Sequence, residues 1–75
     1  MWNYRIVERN TKPEKTLSIH LIYYVNDVPT YWSDMPCAIV WGEGENKREV
    51  CDKVVNAFRL PVINENELIK NGEPF

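Results

Sequence analysis

The stretch Thr16-Leu17-Ser18-Ile19-His20-Leu21-Ile22-Tyr23-Tyr24-Val25-Asn26 decides the fold. It is rich in β-branched and aromatic residues, which suit a pleated, half-buried surface. Read with a period of two, Leu17, Ile19, Leu21, Tyr23 and Val25 share one face, and Ser18, His20, Ile22, Tyr24 and Asn26 share the other. The first row is uniformly apolar and is expected to meet the core. The second row mixes polar and aromatic side chains and is expected to face outward.

Working outward from this strand, Trp2–Glu8 alternates in the same way, with Trp2, Tyr4 and Ile6 on one side and Asn3, Arg5 and Val7 on the other. The polar stretch Arg9–Lys15 carries Pro13 and reads as a loop. Downstream, Asn26-Asp27-Val28-Pro29 reads as a turn, because Asn and Asp tolerate turn geometry and proline limits the backbone. Thr30–Ser33 returns as a third strand, Met35-Pro36 interrupts it, and Ala38–Trp41 resumes it. The strands are placed at residues 2–9, 16–26 and 30–41.

A helix follows. Gly42-Glu43-Gly44-Glu45 forms a hinge, and Asn46 with Glu49 has the spacing of a capping box. Val50, Cys51, Val54, Val55 and Phe58 then form one apolar stripe, with Lys47, Asp52, Lys53 and Asn56 off it. Pro61 ends the helix, placed at residues 46–59. In the tail, residues 60–75, Asn64 and Glu67 repeat the cap spacing, so a short helix is expected over residues 65–71, with Gly72 at its end. The expected fold is therefore α+β: a three-stranded antiparallel β-meander packed on one α-helix (β-β-β-α), with a short helical or extended C-terminal tail, all in a single domain over residues 1–75.

Composition narrows the function. A chain of 75 residues makes one small domain. Its 44 % hydrophobic and 12 % aromatic content argues against disorder. The net charge of −2 disfavours nucleic acid as a partner, because phosphate binding wants a basic face. Arg5, Arg9, Lys12 and Lys15 are the one group that could form such a stripe, which keeps weak nucleic-acid binding as an alternative. The longest apolar run, Ile19–Val25, is too short for a membrane span, and the N-terminus reads as a strand rather than a signal sequence. A cytoplasmic location with reduced thiols is expected. Cys51 lies on the helix stripe, where a buried inert thiol is expected; Cys37, after Pro36, is the more reactive of the two.

Signals for catalysis are weak. His20 is the only imidazole and the only candidate general base, and no second positioned group accompanies it. The Cys37, Cys51 and His20 spacings fit no zinc motif. Gly42-Glu43-Gly44 is flanked by acids that would compete with a phosphate. No catalytic residue, cofactor or metal is expected, and the protein is read as a non-enzyme.

The aromatic residues are more informative. One helix on one sheet face leaves the other face open, displaying Arg5, Val7, His20, Ile22, Tyr24 and one of Tyr31 or Trp32. Either a partner or the tail Leu60–Phe75 covers that face, and a partner is the preferred reading. The interface residues expected are Arg5, His20, Ile22, Tyr24 and Trp32, because Tyr, Trp and Arg dominate binding hot spots. The partner is another protein or a second copy, a homodimer being the simplest version.

Trp2-Asn3-Tyr4-Arg5-Ile6-Val7, Ile19-His20 with Tyr23-Tyr24, Trp32-Ser33-Asp34-Met35-Pro36 and Leu60-Pro61-Val62-Ile63 together resemble a family of small bacterial proteins with W-N-Y-R and I-H-x-x-Y-Y motifs. That resemblance covers most of the chain and implies no particular activity. In element order the chain also resembles the N-terminal module of HicB-type antitoxins, a partial RNase-H-like fold that neutralises a small basic ribonuclease toxin. It implies protein binding. It does not extend to a DNA-binding segment, for which too little chain follows Phe58, or to nuclease chemistry. An inhibitor of a host defence complex, encoded by a phage or mobile element, belongs to the same binding class.

Overall fold

Asn26 and Asp27 both take left-handed backbone angles, with φ of 52° and 64°. Two such residues in succession make the tight turn whose twist matches that of antiparallel strands, and Asn and Asp adopt it more readily than most. In the computed structural model, which describes residues 1–75, this turn joins β2 (Thr16–Val25) to β3 (Val28–Trp32). Val28 and Pro29 are thus strand residues rather than the second half of the turn.

β1 (Trp2–Arg9) pairs antiparallel with β2 along its whole length, from Trp2 opposite Tyr23 to Arg9 opposite Thr16. β3 completes the antiparallel meander. Its register shifts between Tyr23, which faces Tyr31, and Tyr24, which faces Pro29, so Thr30 is an inserted bulge residue. The third strand stops at Trp32. Ala38–Trp41 does not resume it, although the Cys37 amide still donates to the Ile19 carbonyl at 2.8 Å.

α1 (Lys47–Arg59) starts where Asn46 caps it. The Asn46 side chain accepts from the Arg48 amide at 3.0 Å, while the Glu49 amide goes to the Asn46 backbone carbonyl. Half of the expected box is therefore replaced by a simple cap. Two further strands and a second helix follow: β4 (Ile63–Asn64), α2 (Glu65–Asn71) and β5 (Glu73–Pro74). β4 pairs parallel with β1, and β5 pairs parallel with β3. The result is an α+β fold with a five-stranded mixed sheet in the order β4-β1-β2-β3-β5. The tail thus adds both outer strands, which the sequence reading did not place.

α2 links the two edges of this sheet. A seven-residue helix is about 10 Å long, whereas four strand spacings in a flat sheet span about 19 Å. So short a link closes because the sheet curls around α2. The core lies in that curl: Val7, Ile22, Trp32, Ile63 and Leu68 form one buried cluster, with Tyr24 packed against it.

This inverts the expected faces. Leu17, Tyr23 and Val25, placed in the core by the sequence pattern, are 62 %, 41 % and 50 % exposed, and the row of His20, Ile22 and Tyr24 points inward. The physical reason is that the cover comes from the tail, not from α1. α1 packs mainly against β1, with only Ala57 fully buried. Close approach of the tail depends on Gly72: a Cβ there would stand 1.6 Å from the Thr30 carbonyl oxygen.

Candidate functional site

The five residues singled out by the sequence do come together, but inside the molecule. Ile22 and His20 are fully buried, Trp32 is 4 % exposed, and Tyr24 and Arg5 are half-buried. The open face expected to carry them does not exist, because α2 lies over it, held there by β4 and β5 at the two edges of the sheet. Their chemistry is spent on holding the sheet and tail together.

His20 shows how. Its Nδ1 lies 2.7 Å from the Ser33 carbonyl oxygen, which only accepts, so Nδ1 carries the proton. Nε2 is left to accept the Ser18 hydroxyl at 2.8 Å. Ser33 Oγ in turn accepts the Leu21 amide at 3.1 Å and lies 3.3 Å from Cys37 Sγ. The imidazole thereby ties β2 to the chain beyond β3. A general base has to reach a substrate proton, and this ring has no exposed surface.

Arg5 plays a similar part on the other side. Nη1 donates to the Tyr24 hydroxyl at 3.0 Å, Nη2 donates to the Pro61 carbonyl at 2.8 Å, and the Tyr24 hydroxyl donates to Asn3 Oδ1 at 2.8 Å. Arg9 binds Glu65 at 2.9 Å and the Asp34 carbonyl at 2.6 Å. Lys15 lies 3.7 Å from Glu8. Of the basic residues that could have formed a phosphate-binding stripe, only Lys12 is left without such a partner. No three His, Cys, Asp or Glu side chains gather as a metal site, and no helix is long and apolar enough to cross a membrane.

The surface that remains unfilled is on α1. The apolar stripe divides into two columns. Val50, Val54 and Ala57 turn inward, while Cys51, Val55 and Phe58 are exposed, Phe58 by 68 %. Cys51 is thus an exposed thiol and Cys37 a half-buried one, the reverse of what the sequence suggested. Beside the open column runs a mainly apolar groove of about 560 Å³, walled by Ile39, Trp41, Val50, Cys51, Val54 and Val55, with Lys47, Arg48 and Asp52 at its rim. Trp41, which the sequence reading assigned to a strand, forms one wall. The signal for this site was the width of the stripe: with Ala57, six apolar or thiol positions spread over two adjacent columns are more than one contact with β1 can cover.

Lys53 lies on the opposite flank of α1, 4.8 Å above the Trp2 ring, which also meets Tyr4 edge-on. The flank toward β1 is therefore occupied, and the flank toward the groove is not. No protein-family model matches this chain, and no curated protein or solved structure shows significant similarity to it.

Proposed function

We propose that this protein is a non-enzymatic protein–protein interaction module that works by shape. Its contact surface is the apolar groove and the Cys51–Val55–Phe58 column of α1. The observation that carries this reading is the continuity of that surface: six apolar or thiol side chains line one groove, and Phe58 stands open beside it. Isolated exposed apolar residues are ordinary, but a contiguous patch of this kind marks an interaction site. Burial of His20, the sole imidazole, supports a structural role for it rather than a catalytic one.

The test is a photo-crosslinking amino acid placed at Val55, compared with the same group at Lys12 in the exposed loop after β1. Irradiation in the native host should give a discrete protein adduct from position 55 and none from position 12. The adduct should vanish when Phe58→Glu is added. Equal labelling from both positions, or none from position 55, refutes the interaction surface.

A further inference from the structure

We infer that the partner is a second copy of this chain, docked helix against helix across the exposed column of α1. This rests on the reading that the surface around α1 is a protein contact, and it names the occupant.

The first support is area. The chain exposes 5613 Å², whereas a folded monomer of its mass exposes about 4,800 Å² by the scaling of surface with mass. The excess of about 800 Å² equals what each partner buries in an interface of standard size. The radius of gyration agrees: it is 12.9 Å, against about 11.4 Å for a compact chain of this length. Only eight of the 75 residues are buried, so the core that the chain makes alone is small, and pairing would enlarge it.

The second support is self-complementarity, which a two-fold contact requires. Cys51, Val55 and Phe58 are spaced i, i+4, i+7 and lie one above another on the helix. In an antiparallel pair of α1 helices with the axis at Val55, residues equally far before and after Val55 come level. Phe58 of each copy then stands beside Cys51 and Asp52 of the other, over the groove walled by Ile39 and Trp41. The knob and the hole belong to the same surface.

Charge follows the same symmetry. Arg59 comes next to Asp52 of the second copy, twice over. Neither residue takes part in an ion pair within the chain. Lys53 is turned away, over Trp2, and the two cations that line the groove, Lys47 and Arg48, sit at the start of α1, outside the 51–59 span that pairs with its copy.

Sedimentation equilibrium of the full chain tests this, from about 1 µM to about 500 µM, a range that brackets modest self-association. The wild type should rise toward twice its 8.9 kDa chain mass. Phe58→Glu should weaken the dimer at least ~100-fold, because it puts a charge into the centre of the contact. Its far-UV circular dichroism should be unchanged. Cys51→Arg reads the same column should Phe58→Glu fold poorly. Arg59→Glu should weaken the dimer about tenfold by facing Asp52, and adding Asp52→Arg should restore it. That restoration reports the antiparallel register, which a general loss of stability would not. A wild type that stays monomeric throughout overturns the second copy as occupant, as does a dimer untouched by both Phe58→Glu and Cys51→Arg. In either case a Val55 crosslink to a different protein would leave the interaction reading standing; no crosslink would remove that too.

Discussion

The two faces of the sheet differ in the opposite sense to simple hydropathy. The inner face holds Ser18, His20, Arg5 and Asn3 among its residues, while the outer face of β2 holds Leu17, Ile19, Leu21 and Tyr23. Yet the inner face is the dry one. Burying a polar group costs little once its hydrogen bonds are made and a great deal when they are not. His20 has Ser18 and Ser33; Tyr24 has Asn3 and Arg5. Which face is inside was decided by where the tail lands; the polar groups there are satisfied within and just after the meander, and the tail adds the Pro61 carbonyl for Arg5.

The largest expected effect sets the two faces directly against each other. Leu68 is fully buried at the centre of the core, so Leu68→Asp should cost more than ~4 kcal/mol, close to the whole stability of a small domain. Leu17→Asp, on the exposed face, should change stability by no more than about 0.5 kcal/mol. Urea denaturation of both variants measures the contrast. Equal losses would mean that both faces are covered, and a greater loss at Leu17 would restore the face assignment that hydropathy suggests.

Next in size is Gly72→Ala. The Thr30 carbonyl blocks any Cβ, and it is backbone held in the β3 bulge, so the tail has to move. A loss of about 2–3 kcal/mol is expected, as for other overpacked sites. Amide exchange should rise first in β5 and α2. A thermal melt that matches the wild type would show that β5 does not sit against β3.

This contrast also explains what the sequence disclosed. The meander, α1, its Asn46 cap and its stop before Pro61 were legible, because they rest on alternation, helical periodicity and local capping. Alternation says which residues share a face, but not which face is inside. Of the two partners that make His20 tolerable in the core, Ser18 shares its strand, but Ser33 lies outside it and leaves no periodic trace. β4 and β5 are two residues each, too short for any period to show. The groove on α1 was half legible: the stripe was read correctly as apolar, but its outer column was assigned to the core because nothing local says how much of a stripe its neighbour covers.

A smaller effect probes the polar side of the inner face. Ser18→Ala removes the only hydroxyl that His20 Nε2 accepts from, leaving that nitrogen buried and unpaired. The loss should be about 1–3 kcal/mol. Tyr24→Phe removes a hydroxyl that both accepts from Arg5 and donates to Asn3, and a loss in the same range is expected. If either change proves neutral by urea denaturation, water already reaches that group and the inner face is wetter than its packing indicates.

The finest distinction lies between the two helix caps, both asparagines. Asn46 gives one hydrogen bond, to the Arg48 amide, on an exposed helix start. Asn64 caps α2 through the Asn66 amide and also donates from Nδ2 to Glu8 and Asn10, joining the tail to the end of β1. Asn46→Ala should cost about 1 kcal/mol, the usual worth of an N-cap. Asn64→Ala should cost about twice that, because the same change also removes the Asn64 hydrogen bonds to Glu8 and Asn10 that tie the tail to β1. Matched melts would rank them. A larger loss at Asn46 would mean that α1, not the tail, holds the domain together, since a cap can matter only as much as the helix it begins.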